Sequence, residues 1–179
     1  MLAHSIESLI EALLLVAGAP VTIDDLAKAI GTEPDLVSES LDCLADQYAS
    51  RGFRVQRSRN RVQLVTAPEV APYVEAFLGT VSSGKLSSAA LETLAIVAYN
   101  QPVTRAQVES IRGVSCDGVL RTLVAHDLIH IAGRLEQAGR PLIYETTFAF
   151  LEHFGLQNLG ELPPLDLENV DTGVATIKE

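Results

Sequence analysis

Pro20-Val21-Thr22-Ile23-Asp24-Asp25-Leu26-Ala27-Lys28-Ala29-Ile30-Gly31 and Pro102-Val103-Thr104-Arg105-Ala106-Gln107-Val108-Glu109-Ser110-Ile111-Arg112-Gly113 are two copies of one local pattern, set 82 residues apart. Each opens with Pro-Val-Thr and closes on a glycine nine residues after the threonine. Thr22 and Thr104 stand where a helix N-cap belongs, with a side-chain oxygen able to accept from a backbone N–H of the first turn. Three residues on, Gln107 completes a capping box and Asp25 approximates one. Val21 with Leu26, and Val103 with Val108, have the spacing of a hydrophobic staple. Gly31 and Gly113 then end the helix, because glycine enters the left-handed region without a Cβ penalty. A short helix with a defined entry and stop has been used twice, which predicts a duplicated module.

The elements around each copy follow the same order. Ser5 to Ala17 reads as a helix with Ile6, Leu9, Ile10, Leu13, Val16 and Ala17 on one face; Leu14 and Leu15 widen that arc. After Thr22–Ile30, a third helix starts at Glu33 or Pro34 and runs to about Tyr48. Val37, Leu41, Leu44 and Tyr48 form its inward stripe, and Asp35, Glu39, Asp42 and Asp46 form a carboxylate stripe about 200° away. Phe53–Gln56 and Val62–Thr66 read as strands joined by Arg57–Arg61. Pro68 opens a helix to Leu78 with Val70, Tyr73, Val74 and Phe77 on its apolar side. Thr80, Ser82, Ser83 and Gly84 mark residues 80–85 as a linker.

The second unit repeats this. Ser87–Tyr99 is a helix, Thr104–Arg112 the short capped one, and Ser115 is expected to cap a third through about His126, with Val119, Leu120, Leu123 and Val124 inward. Leu128–Ala132 and Leu142–Thr146 read as strands, and Phe148–Phe154 as a last helix closed by Gly155. Residues 157–179, with two prolines and five acids, predict an acidic flexible tail. Three helices followed by a two-stranded wing is the winged helix-turn-helix order. The predicted fold is therefore mainly α with small β wings: one winged-helix domain over 1–79 and a second over 86–156.

Bulk composition narrows the function classes. Net charge is −10 over 179 residues, which repels nucleic acid as a whole. Residues 1–50 hold nine acids and one base; residues 51–61 hold five arginines and no acid. Apolar residues make up 47%, and the mean hydropathy is +0.23, so two small domains are expected to present apolar surface to partners. Cys43 and Cys116 are expected to pack as small buried residues, with neither a disulfide framework nor a metal site. No signal peptide opens the sequence and no apolar run spans a bilayer, which predicts a cytoplasmic protein without membrane contact. No phosphate loop or nucleophile elbow is present, so catalysis is the least supported class and no cofactor is expected.

The second unit carries a resemblance. Ala90-Leu91-Glu92-Thr93-Leu94-Ala95-Ile96-Val97-Ala98-Tyr99 leads into Gln101-Pro102-Val103-Thr104. Arg112-Gly113-Val114 leads to Asp117-Gly118-Val119-Leu120-Arg121-Thr122-Leu123. Gly139-Arg140-Pro141-Leu142-Ile143-Tyr144 and Thr146-Thr147 then precede Phe150-Leu151 and Phe154-Gly155-Leu156. Together these resemble segregation and condensation protein B, densely over 86–156 and more loosely over 5–79. The resemblance implies a non-enzymatic subunit of a bacterial condensin-like complex. It implies a homodimer of tandem winged-helix chains that binds the kleisin subunit, segregation and condensation protein A. That subunit bridges the heads of a structural maintenance of chromosomes ATPase, in chromosome condensation and partition at cell division.

Candidate contacts follow from surplus apolar or basic surface. Leu9, Leu13, Leu14, Leu15 and Val16 exceed what one buried stripe needs and are the candidate dimer interface. Ile96, Val97 and Tyr99 are the candidate kleisin contacts, on a helix again more apolar than its core requires. Arg54, Arg57, Arg59 and Arg61 could meet a phosphate backbone, giving at most weak, non-specific, salt-dependent binding to DNA. The alternative reading, a dimeric winged-helix transcription regulator, needs a basic recognition face. The third helix of the first unit offers four carboxylates instead.

Overall fold

The computed structural model describes residues 4–79 and 86–164. The predicted linker 80–85 and the tail from 165 onward lie outside the described residues. The chain forms α1 (Ile6–Ala17), β1 (Val21–Thr22), α2 (Ile23–Ile30), α3 (Pro34–Tyr48), β2 (Phe53–Ser58), β3 (Arg61–Thr66), a 3₁₀ turn and α4 (Ala71–Leu78). It then forms α5 (Ser88–Asn100), β4 (Val103–Thr104), α6 (Arg105–Arg112), α7 (Asp117–Ala125), β5 (Ile129–Arg134), β6 (Leu142–Thr146) and α8 (Phe148–Phe154). These are two winged helix-turn-helix domains in tandem.

The duplicated stretch folds as its caps dictate. Thr22 Oγ1 accepts from the Asp25 N–H at 3.1 Å. Thr104 and Gln107 form the full reciprocal box, the Thr104 N–H donating to Gln107 Oε1 at 2.8 Å. Gly31 (φ +79°) and Gly113 (φ +71°) close the two helices, each returning its N–H to a carbonyl four residues back. The dipeptide ahead of each helix also adds a short strand, which the sequence reading missed. Val21 pairs with Val62 and Val103 with Tyr144. Each wing is thus a three-stranded antiparallel sheet, ordered β1-β3-β2 and β4-β6-β5, rather than a two-stranded one.

Two apolar cores form. Ile10, Val37, Leu41, Leu44, Val55 and Val62 anchor the first; Leu94, Val97, Leu120, Leu123, Ile129 and Leu151 anchor the second. In α3 the inward stripe is as predicted, every member buried.

Several expectations need correction. The basic turn is shorter, because β2 and β3 extend to Ser58 and Arg61 and leave Arg59-Asn60 at the tip, with Arg59 at φ +54°. Ser115 does not cap α7. Its hydroxyl donates instead to Glu109 Oε1 at 3.1 Å, and the same oxygen accepts from the Cys116 N–H at 3.1 Å. A carboxylate from the preceding helix therefore satisfies the orphan donor at that helix start. Cys116 is buried, but Cys43 is exposed on the polar side of α3. The first residues assigned to the tail are docked: Leu159 and Leu162 pack on the second core. The Arg57 N–H donates to the Gln157 carbonyl at 2.8 Å.

Candidate functional site

The candidate surfaces are apolar faces that the two cores leave uncovered. On α1, capped by Ser5, Ile10 and Leu14 enter the core and Leu9 and Leu13 are half-covered. Leu14, expected at an interface, is therefore a core residue. Leu15 and Val16 follow it on the outside, 70% and 85% exposed.

A second apolar face lies on α4, on the apolar side that the spacing of Tyr73, Val74 and Phe77 predicts. The helix buries none of its residues. Tyr73 is 78% and Phe77 88% exposed, with Leu78 beside them. An eight-residue helix has little stability of its own in water, so its apolar side needs a neighbour. The periodicity showed that an apolar side exists; it could not show that the domain's own core does not reach it.

The second domain carries an apolar groove of about 490 Å³ between α5, α8 and the segment after α8. Leu91, Ala95 and Tyr99 form one wall, Phe154 and Leu156 another, and Leu162 and Pro163 a lip. The Tyr99 hydroxyl donates to the Pro163 carbonyl at 2.6 Å and holds that lip in place. Phe154 is half-exposed, with its ring centre 5.0 Å from both Phe150, which is tilted against it, and His153, which meets it edge-on. Of the three contacts predicted on α5, Tyr99 lines the groove and Ile96 packs partly buried at the core edge. Val97 is fully buried and is withdrawn as a contact. Phe154 and Leu156 were missed as site residues, although both belong to the quoted motifs, because only folding brings α8 beside α5.

The arginine-rich wing is not a free basic patch. Arg54 is buried, donating to the carbonyls of Tyr48, Arg51 and Phe53 and to both oxygens of Glu69 at 3.1 Å. Arg57 pairs with Asp42 at 2.9 Å and donates to the Ser38 carbonyl at 3.0 Å, so it ties the wing to the acidic stripe of α3. Arg59 pairs with Glu145 of the second domain, and Arg61 donates to the Pro20 carbonyl at 2.6 Å. Each of the four candidate phosphate contacts is thus engaged within the chain, and Arg54 is not available to a phosphate. Charge was legible in the sequence; the internal partners were not.

In the second domain the helix-turn-helix is tied by charge. Asp117 accepts from Arg105 at 3.1 Å and pairs with Arg121 at 2.5 Å. The hydrogen bond to Asp117, with Glu109 alongside, raises the Arg105 guanidinium above its ordinary range. The Cys116 N–H, followed by Ser115 and Arg105, holds the Glu109 carboxyl below the ordinary carboxylate range. Burial pushes the Cys116 thiol up, away from the reactive thiolate. These groups brace α6 against α7. Among the described residues no three His, Cys, Asp or Glu side chains gather as metal ligands would. No helix among them is long and apolar enough to cross a membrane.

Comparison with known proteins follows the same lines. Residues 8–165 match the family model of segregation and condensation complex subunit ScpB. Segregation and condensation protein B of Moorella thermoacetica is 48% identical over 164 residues, covering 90% of this chain and 84% of that protein. The crystal structure of ScpB from Mycobacterium tuberculosis is 42% identical, covering 84% of this chain and 95% of that one, with a TM-score of 0.40. A solved dimer of an ScpB N-terminal domain complexed with an ScpA peptide is 22% identical. It covers 40% of this chain and 91% of its own, with a TM-score of 0.38. The dense motifs, the tandem winged-helix order and the match over nearly the whole length agree, and the chain belongs to the ScpB family of segregation and condensation complex subunits.

Proposed function

We propose that this chain is a non-enzymatic scaffold with its two partners divided between its two domains. The domain over 1–79 pairs with the same domain of a second copy; the domain over 86–156 holds the kleisin ScpA. ScpA in turn bridges the heads of the structural maintenance of chromosomes ATPase, so the complex acts in chromosome condensation and partition at cell division. The setting is the cytoplasm, at the nucleoid, and no cofactor takes part. Membership of the ScpB family supports this reading.

The observation that carries it is α4, a helix without a single buried residue and with Tyr73, Phe77 and Leu78 outward. With Leu9, Leu13, Leu15 and Val16 of α1 it supplies apolar surface for a symmetric interface, in which the same patch serves both copies. The groove at Tyr99, Phe154 and Leu156 has the apolar walls that an amphipathic segment requires. Ile96 lies at its edge. The binding does no bond chemistry: it orders a kleisin segment, at an entropic cost offset by buried apolar area.

Single charges placed on each face separate the two roles. Phe77→Glu or Leu15→Glu is expected to give a folded monomer in light scattering. Phe154→Glu is expected to stay dimeric and to bind the middle segment of ScpA about tenfold or more weakly in calorimetry. Dimeric Phe77→Glu and Leu15→Glu proteins together with a Phe154→Glu protein of unchanged affinity would refute the division.

A further inference from the structure

The outer face of the first wing presents Arg54, Gln56 and Ser58 from β2 and Arg61, Gln63 and Val65 from β3, while Val55, Val62 and Leu64 face the core. That is the composition of a sheet face suited to water. Nevertheless Gln56 is only 2% and Gln63 only 8% exposed, because the second domain covers them. Gln63 Nε2 donates to Gln56 Oε1 at 2.9 Å and to Glu152 Oε1 on α8 at 2.7 Å. Gln56 Nε2 donates to the Leu156 carbonyl at 2.7 Å. At the hairpin tip, Arg59 pairs with Glu145 of β6. That buried carboxylate oxygen has no hydrogen-bond partner in its own domain, and His130 stands 4.0 Å away. A cleft of about 650 Å³ opens beside the pair, lined from both domains.

The two apolar cores remain separate clusters on either side of this seam. Polar contacts between domains permit relative motion, since each hydrogen bond can be exchanged for one to water at little net cost.

We propose that the seam is a clasp. The chain exchanges between a closed protomer, in which the second domain covers the outer face of the first wing, and an open one, in which that face is solvated and the second domain is free to reorient. Arg59–Glu145 sets the balance, as a full charge pair across the seam. The proposal rests on these contacts and is independent of which partner each domain binds.

Energy transfer within the full-length chain tests it. One dye is placed on the exposed Cys43 of α3 and the other on a cysteine introduced by Glu136→Cys, in the loop between β5 and β6. Excess unlabelled chain restricts the signal to single protomers. A high-transfer population that declines with added salt is expected. Arg59→Glu, which sets two carboxylates against each other, is expected to lower the closed-to-open ratio at least about tenfold. Gln63→Glu, facing Glu152, should act in the same direction, and adding Glu152→Gln should restore closure by exchanging donor and acceptor. Far-UV circular dichroism confirms that each variant is folded. Transfer unmoved by both single substitutions, no recovery in the double exchange, or high transfer that vanishes on dilution with unlabelled chain would each overturn the clasp.

Discussion

The two domains share one construction and differ in what they leave uncovered. Both use a Val-Thr entry, a two-turn helix, a left-handed glycine and a three-stranded wing. Their third helices diverge. In the first domain α3 buries Val37, Leu41, Leu44 and Tyr48 and shows carboxylates outward. In the second, α7 is shorter and is held to α6 through Asp117, with Glu109 serving its first turn. Their last helices diverge further. The α8 helix returns Phe150 and Leu151 to its own core, whereas α4 returns nothing. Caps and stripes therefore set the fold, and the surplus beyond the stripe is what each domain leaves uncovered.

The two cores give the largest separable effects. Leu41→Ala and Leu120→Ala each remove a buried side chain and are expected to cost about 2–5 kcal/mol. If the domains are separate units, Leu41→Ala shifts only the first domain's transition in urea, and Leu120→Ala only the second's. Residue-resolved hydrogen exchange reads the two apart.

The caps act at a smaller scale. Thr104→Ala removes the hydroxyl half of a buried capping box, and Thr22→Ala a less buried cap. Losses of about 1 kcal/mol are expected, larger at Thr104. Gln107→Ala removes the reciprocal bond from the Thr104 N–H, and an unchanged denaturation midpoint in that variant would show that this bond contributes nothing.

Tyr48 has no equivalent in α7. Its burial, and the hydrogen bond its hydroxyl donates to Glu11 Oε1 at 2.5 Å, push the phenol up to about 12 from 10.0. The folded state thus holds this proton more tightly than the unfolded chain. The contribution is fully present below pH 10 and is lost as pH rises toward 12, on the order of 1 kcal/mol after screening at the exposed edge. Tyr48→Phe should flatten this part of the first domain's stability profile in alkaline titrations and leave the second domain's profile unchanged.

Most of the fold was legible because its determinants are local. A cap, a staple and a stop fall within twelve residues, and the stripe of α3 follows directly from helical periodicity. The added strands β1 and β4 were missed because two residues carry too little pattern. The sites were less legible because they depend on what comes to lie against what. Leu14 and Leu15 are neighbours in sequence and of one residue type, yet one is in the core and the other outside. Val97 and Tyr99 share a helix, and only Tyr99 reaches the groove. The wing arginines read as one basic patch, and their partners Tyr48, Asp42, Glu69 and Glu145 are set beside them only by folding. Phe77 lies on the apolar side that its spacing predicts, and is among the most exposed apolar residues described.

Light scattering coupled to gel filtration weighs the full chain alone and mixed with the middle segment of ScpA. A particle of about twice 19.2 kDa that gains the mass of the ScpA segment is the predicted result. A monomer whose mass is unchanged by ScpA would contradict it.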